Sequence, residues 1–146
     1  MKPTLVPGIK GEWRWRVAAR HLVPALYPEF ESFKGMPPVF ATGFLVGFVE
    51  WACIETMKPH LDAGEGSVGT HIDITHEAAT PEGMEIVARV ECVEVKGRKV
   101  KWVFEARDEQ DVIARGRHER SVIDIRRFVD AALRKQKNAQ QKSEST

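Results

Sequence analysis

The sequence lacks several features that would assign it at once to a class of protein. It has no excess of one charge, since 22 Lys and Arg against 21 Asp and Glu give a net charge of +1, so a broad field for nucleic acid or an anionic membrane is excluded. It has only two cysteines, Cys53 and Cys92, both in apolar segments and without metal-ligand spacing. We therefore predict free thiols in a reducing cytoplasm.

Membrane and secretion signals are also missing from the pattern. The N-terminal segment has no apolar signal-peptide core. The apolar stretch of residues 36–54 approaches the length of a membrane span, but prolines, glycines and Glu50 interrupt it. We predict a protein that binds neither a membrane nor nucleic acid.

The 146 residues, 42% of them hydrophobic, suffice for one globular core. We predict a single domain over residues 1–130. Residues 131–146 are polar and rich in Gln, Lys and Ser, which is typical of a disordered C-terminal tail.

One long helix and several strands are expected. The apolar run of residues 39–54 predicts a buried helix that takes Thr42 as its N-cap and ends near Lys58, before Pro59. Alternation of apolar and polar residues predicts strands over residues 12–17, 70–76, 84–95, 99–107 and 112–125, the last with a bulge near Gly116. This pattern predicts an α+β fold in which an antiparallel sheet wraps the helix. Apolar surface left over on so small a domain favours a homodimer.

Glu50 is the only charged residue between Lys34 and Glu55. Burial of an unpaired carboxylate costs several kcal/mol, so a buried Glu is usually paired, protonated or catalytic. Gly43 and Gly47 fall on the same side of the helix and leave room for a ligand. Two interpretations stay open at this point: a catalytic carboxylate beside a ligand, or an ion pair with an arginine.

His76 and Thr42 are equally ambiguous. His76 shares a predicted strand face with Ile72 and Ile74, which fits a core histidine or the partner of Glu50 in acid–base catalysis. Thr42 either caps the helix or binds negative charge at its N-terminus. Thr42 and Glu50 lie about 12 Å apart along one helix axis. If they serve one site, either the substrate spans this gap or a partner chain supplies one of them across an antiparallel pair of helices.

Two motifs are coincidental matches. Residues 64–69 fit GxGxxG, but the helix precedes the motif and the strand follows it, the reverse of a dinucleotide site. We predict a tight turn that leaves Gly69 with an exposed backbone N–H. His76-Glu77 and His118-Glu119 begin like HExxH without the second histidine, so no metal site is predicted.

Five short stretches occur in a fixed order between residues 26 and 125. They are PVFATGF at 38–44, EWAC at 50–53, GEGS at 64–67 with Gly69-Thr70, Thr75-His76 with AATP at 78–81, and His118-Glu119-Arg120. Together they resemble the hotdog-fold thioesterases, and specifically the fluoroacetyl-CoA thioesterase family. The resemblance implies a hotdog fold, with one long central helix wrapped by an antiparallel sheet, and a homodimer with its sites at the interface.

The resemblance also implies the chemistry. Thr42, Glu50 and His76 would be catalytic, and Gly69 and Arg120 would contact the substrate, a short acyl-CoA such as one resembling fluoroacetyl-CoA. The products would be the free acid and CoA, with no metal and no cofactor other than the CoA of the substrate itself. Residues 29–36 look like the family's lid, in which Met36 brings a flexible thioether where an aromatic ring would be stiffer.

Two other functions are compatible with the same residues. A hotdog-fold enoyl-CoA hydratase or dehydratase also uses a carboxylate and a histidine. In a non-catalytic acyl-CoA-binding module, Thr42, Glu50 and His76 would be a helix cap, an ion pair and a core histidine.

Overall fold

A single antiparallel sheet and one long helix packed against it form the body of the computed structural model, which describes residues 1–145. The elements are β1 Lys10–Arg16, α1 Glu31–Lys34, α2 Thr42–Met57, β2 Glu65–Ile74, β3 Glu85–Lys96, β4 Lys99–Arg107, β5 Val112–Asp124 and α3 Ile125–Glu144. The strand order is β1-β3-β4-β5-β2, with antiparallel pairing throughout. The predicted α+β architecture is confirmed.

The core lies between α2 and the inner face of the sheet. Strand β4 shows why the alternating pattern was informative, because every second residue is buried: Val100, Trp102, Phe104 and Ala106. They join the buried side of α2 in one hydrophobic cluster. The helix ends at Met57, one residue before the predicted end, and a short 3₁₀ turn over Lys58–His60 contains Pro59.

The start of α2 differs from the prediction. Ala41, not Thr42, is the N-cap, and its backbone is extended; Thr42 is the first helical residue and its side chain caps nothing. The reason lies in the preceding residues, since the Phe40 N–H donates to the Thr80 carbonyl and the Ala41 N–H donates to the His21 carbonyl. These bonds hold the chain extended up to Ala41 and free the Thr42 hydroxyl for another partner.

The apolar run predicted a buried helix, but α2 is not buried on all sides. Gly43 and Gly47 are exposed, and Trp51 and Ile54 keep 37% and 39% of their surface. The side of α2 that faces away from the sheet is therefore apolar and uncovered in the single chain. It is called the outer face of α2 below.

Strand β2 begins five residues earlier than predicted and includes Gly66 and Gly69, so the expected tight turn is confined to Gly64, which has φ +82°.

The predicted bulge near Gly116 also lies elsewhere. Pairing between β2 and β5 shifts between Gly69 and His71, whereas Gly116 pairs in register with both its neighbours, Ile74 and Phe104. The glycine at 116 is needed for close approach instead, because a Cβ there would lie 1.9 Å from the Asp73 carbonyl oxygen.

The C-terminal segment also differs from its prediction. Residues 131–144 were expected to be disordered, but they continue α3, which Asp124 caps by accepting a hydrogen bond from the Arg127 N–H. None of its residues is buried, so good helix formers such as Ala, Leu, Arg, Lys and Gln, rather than packing, explain the helix. The predicted boundary at residue 130 falls within α3. No helix within residues 1–145 has the length and apolar character needed to cross a membrane.

We expect Gly116→Ala to lower the free energy of unfolding by about 3 kcal/mol, because an added methyl group would overlap the Asp73 carbonyl and the Phe104 ring. Denaturant unfolding followed by circular dichroism measures this change. Gly35→Ala is the matched control, since a Cβ there meets nothing within 4 Å, and it should shift stability by no more than about 0.5 kcal/mol. Equal, small effects of both substitutions would contradict this account of Gly116.

Candidate active site

Thr42 and His76 form a direct pair. Thr42 Oγ1 and His76 Nδ1 are 2.8 Å apart and share a hydrogen bond. Thr42 lies in the first turn of α2, and His76 lies two residues beyond β2, where the backbone N–H groups of Thr75 and Glu77 still donate to β5. The structure thus brings together two of the three residues predicted to be catalytic.

The His76 ring is suited to proton transfer. Burial lowers the pKa of His76, and the nearby Ala78 backbone opposes this only in part. The imidazole is therefore neutral near pH 7. Its second nitrogen, Nε2, is buried and has no hydrogen-bond partner within residues 1–145, so the hydrogen-bonding capacity of this atom is unused.

Arg120 forms the second polar cluster. Its side chain is 4% exposed, and a cation at that depth is tolerated only when its donors are paired. Nε donates to Ser67 Oγ at 2.8 Å and Nη2 donates to the Ser67 carbonyl at 2.9 Å. Nη1 donates to Glu50 Oε1 at 3.2 Å and contacts His118 Nε2 at 3.1 Å. Every nitrogen of the guanidinium is thus engaged.

Glu50 is less buried than its apolar surroundings in the sequence had indicated. Its side chain is 39% exposed and one carboxylate oxygen, Oε1, is tied to Arg120. The ion pair considered from the sequence is therefore present, and it leaves much of the carboxylate accessible. An ion pair and a catalytic role are compatible here, because the arginine fixes the carboxylate without enclosing it.

Gly69 adjoins the Glu50–Arg120 pair. A Cβ at position 69 would lie 2.5 Å from Glu50 Oε1 and 3.4 Å from Arg120 Nη1. Its φ is not in the left-handed region, so the glycine is required for space rather than for backbone conformation. Gly69, Glu50 and Arg120, which the sequence placed in one site only by resemblance, are in direct contact.

The structure therefore divides the five predicted site residues into two groups. Thr42 and His76 form one, and Glu50, Gly69 and Arg120 form the other. The two groups are attached to α2 at its first residue, 42, and near its middle, at residue 50, which are about 12 Å apart along the helix axis.

Sequence reasoning missed two members of the second group, Ser67 and His118. His118 and Arg120 occupy alternate positions on the inner face of β5, beside the buried Val122. Polar residues at i and i+2 on the apolar face of a strand were the available signal. A bulge near Gly116, as predicted from the sequence, would disturb the alternation and hide this signal.

Cys53 lies close enough to this cluster for Arg120 and Glu50 to influence its titration. Burial nevertheless raises the pKa of the Cys53 thiol to about 12. The thiol is therefore protonated at neutral pH and is a poor nucleophile.

The predicted lid segment is aromatic and largely exposed. It contains α1, and the rings of Tyr27, Phe30 and Phe33 pack together with centroids 5.3–6.3 Å apart. Met36 keeps 48% of its surface exposed.

A separate apolar pocket of about 440 Å³ lies between β1 and α2 and is lined by Trp15, Phe44, Gly47, Phe48 and Trp51. None of the five predicted site residues lines it.

The fold matches that of known hotdog proteins. A Thermus thermophilus protein described as a thioesterase superfamily member is 26% identical, with a TM-score of 0.83 over 97% of this chain and 98% of that chain. A hot-dog-like protein from Thermanaerovibrio acidaminovorans, 18% identical, shares the fold with a TM-score of 0.74 over 92% of this chain and 93% of that one. The fold, together with these likenesses, defines a hotdog-fold protein of the thioesterase superfamily.

Closer relatives narrow the class to one family. The family model described as FlK, fluoroacetyl-CoA-specific thioesterase, matches residues 22–126. The fluoroacetyl-CoA thioesterase of Streptantibioticus cattleyicolor is 50% identical over 103 residues, which are 70% of this chain and 74% of that protein. A mutant of FlK solved with fluoroacetate and CoA is 44% identical, with a TM-score of 0.82 over 84% of this chain and 98% of that chain. The chain belongs to the fluoroacetyl-CoA-specific thioesterase family and is an acyl-CoA thioester hydrolase, as the resemblance implied.

We expect Gly69→Ala to abolish most of the thioesterase activity while leaving the protein folded, because the new methyl group would push the Glu50 carboxylate away from Arg120. A loss of roughly ten- to a hundredfold in kcat/KM corresponds to one charge-assisted hydrogen bond. Thiol release measures the activity, and circular dichroism verifies the fold.

Glu50→Asp provides the diagnostic background, since its shorter side chain withdraws the carboxylate from position 69. In that background Gly69→Ala should cost much less than it does in the wild type, which is the non-additivity expected of contacting residues. Additive losses would show that Gly69 acts without Glu50.

Proposed function

We propose that this protein hydrolyses a short acyl-CoA thioester to the free acid and CoA, using Thr42, Glu50 and His76 for the chemistry. The observation that carries the proposal is the Thr42–His76 hydrogen bond of 2.8 Å at the first turn of α2. Within residues 1–145, the Thr42 side chain does not cap α2 and His76 Nε2 has no hydrogen-bond partner, which supports a role in binding or catalysis. Membership of the thioesterase family supplies the reaction class.

The residues divide the reaction between them. The partly exposed Glu50 carboxylate accepts a proton from water as the water oxygen bonds to the thioester carbonyl carbon. The oxyanion that forms is stabilised at the start of α2, where backbone N–H groups lack helical partners and the helix dipole is positive. The C–S bond then breaks, and the proton that Glu50 took from water passes through neutral His76 to the departing CoA sulfur, so that Glu50 and His76 both return to their starting states.

Arg120 and Gly69 support Glu50 in this proposal. Arg120 keeps one carboxylate oxygen in place, and Gly69 provides the space for it. Thr42 holds the thioester oxygen through its hydroxyl or orients His76. The proposal requires no metal and no cofactor beyond the CoA carried by the substrate.

We further propose that the active unit is a homodimer. Two features of the single chain support it: β2 is an edge strand of the sheet, whose free backbone groups are able to pair with another strand, and the outer face of α2 is apolar and uncovered. An antiparallel arrangement of two α2 helices would bring residue 42 of one protomer towards residue 50 of the other. The Thr42–His76 pair and the Glu50–Arg120 pair would then meet across the interface.

The proposed compartment is the cytoplasm. Cys53 and Cys92 are both free and buried, which suits a reducing environment. The acyl group is proposed to be short and related to fluoroacetyl, because the named relatives are fluoroacetyl-CoA thioesterases.

A panel of acyl-CoAs tests the reaction. Purified protein incubated with acetyl-, fluoroacetyl-, aromatic and enoyl-CoA should release free thiol from at least one short acyl-CoA. Glu50→Gln and His76→Ala should each lower kcat by about a hundredfold or more, as expected when an acid–base group is removed. Hydration of the enoyl-CoA without thiol release, or binding of acyl-CoA without turnover, would contradict the proposal.

Mixed dimers test whether each site is shared between protomers. Co-refolding Thr42→Ala with Glu50→Gln should restore about a quarter of the wild-type activity, because half of the dimers formed at random are mixed and each holds one intact site. Co-refolding Glu50→Gln with Arg120→Ala is the matched control. These two residues belong to one cluster on one chain. In every mixed dimer each such cluster carries one of the two substitutions, so we expect no recovery of activity. Recovery of the same fraction would show that Glu50 and Arg120 act from different clusters. No recovery in the first mixture would place both clusters of one site on the same chain.

A further inference from the structure

His118 belongs to the Arg120 cluster, and neither the proposed reaction nor the resemblance assigns it a role. It is buried, with 2% of its surface exposed, on the inner face of β5. Its two ring nitrogens contact two different partners: Nδ1 lies 2.7 Å from the His71 carbonyl oxygen, and Nε2 lies 3.1 Å from Arg120 Nη1.

These two contacts determine the protonation of the ring. A carbonyl oxygen only accepts hydrogen bonds, so Nδ1 carries the proton. A guanidinium only donates, so Nε2 must offer its lone pair. Both contacts are satisfied only by the neutral ring with the proton on Nδ1.

The contact between His118 Nε2 and Arg120 Nη1 sets the orientation of the Arg120 guanidinium. Two of its nitrogens are fixed by Ser67, and the third, Nη1, lies between His118 and Glu50. The acceptor on His118 therefore holds Nη1 where it reaches the Glu50 carboxylate.

We propose that neutral His118 is a positioning residue for the hydrolysis: it orients Arg120 Nη1 through Nε2 and thereby places the Glu50 carboxylate for its reaction with water. This role rests on the proposed function of Glu50. Protonation of His118 would turn Nε2 from an acceptor into an N–H donor that faces the Arg120 cation. Arg120 Nη1 would then lose its hydrogen bond to His118.

The surroundings favour the neutral form. Burial, the Arg120 cation and the neighbouring His71 side chain lower the pKa of His118, and burial contributes most. The hydrogen bond to the His71 carbonyl and the charge of Glu50 raise this pKa. Arg120 on β5, Glu50 on α2 and His71 on β2 are the charged and titratable groups involved. The net pKa is below the ordinary value of 6.5, so the ring is neutral at pH 7 and is lost as an acceptor only in acid.

Two conservative variants separate the two ring nitrogens. In His118→Gln the side-chain oxygen reaches the position of Nε2 and keeps an acceptor for Arg120. In His118→Asn the amide reaches the position of Nδ1, keeps a donor for the His71 carbonyl and leaves Arg120 without its acceptor. A role confined to folding predicts that both variants are impaired alike, whereas a positioning role predicts that they differ.

We expect His118→Asn to lower kcat by about ten- to a hundredfold, the effect of losing a hydrogen bond to a charged group, with a much smaller change in KM. His118→Gln should retain more activity than His118→Asn. The ratio of kcat for His118→Gln to kcat for the wild type should rise as the pH falls through the lowered pKa of His118, because glutamine does not titrate. His60→Gln, a histidine outside this cluster that contacts Thr4, should give a ratio that is constant with pH.

A direct measurement does not depend on any variant folding. In ¹⁵N-labelled wild-type protein at pH 7, His118 should show a protonated Nδ1 and an unprotonated Nε2. The opposite tautomer, equal kcat values for the two variants, or a pH-independent ratio for His118→Gln would overturn the role of His118 in an enzyme that is active. A wild-type protein that releases no thiol from any acyl-CoA would instead overturn the proposed function, and the role of His118 with it.

Discussion

The arrangement of this site depends on a cation inside the protein. Arg120 is almost fully buried, and the cost of removing a guanidinium from water is met only if every donor has a partner. Its partners come from three elements: Ser67 on β2, His118 on β5 and Glu50 on α2. The hydrogen bonds of this one group therefore link α2 to β2 and β5 at the position of the Glu50 carboxylate.

Helix α2 connects this cluster to the Thr42–His76 pair. One side of the helix is packed in the core, and the outer face carries small and apolar residues up to Trp51 and Ile54. A rigid helix keeps residues 42 and 50 at a constant separation, so the distance between the two clusters is set by the backbone rather than by side-chain rotamers. In the proposed homodimer, this fixed spacing places the two clusters of one chain in two different sites.

The sequence was sufficient for the parts of the fold in which one physical signal dominates. The apolar run predicted α2, and alternation predicted the buried face of β4, because burial is the main constraint on both. The sequence paired His76 with Glu50, and only the resemblance placed Thr42 in the same site, so the Thr42–His76 contact was not predicted. Thr42 is free to bond His76 because backbone hydrogen bonds of Phe40 and Ala41 already hold the start of the helix. Such long-range bonds leave no trace in local propensity.

Other features were not predictable for related reasons. Ser67 becomes a neighbour of Arg120 through the pairing of β2 with β5, which joins residues about fifty positions apart. Gly116 was taken for a bulge because glycine in a strand has two common uses, a bulge or a close backbone approach, and sequence alone does not distinguish them. The polar composition of residues 131–144 fits a disordered tail and an exposed helix equally well.

The register shift in β2 has a consequence for how the site is assembled. In a regular strand, residues an odd number apart face opposite sides of the sheet, so Gly69 and His76, seven positions apart, would point in opposite directions. Thr70 is the extra residue at the shift, and it reverses the alternation for everything that follows. Gly69 therefore faces Glu50 while Ile72, Ile74 and His76 also face α2. The irregular residue Thr70 therefore places Gly69, beside the Glu50–Arg120 pair, and His76, the partner of Thr42, on the same side of the sheet.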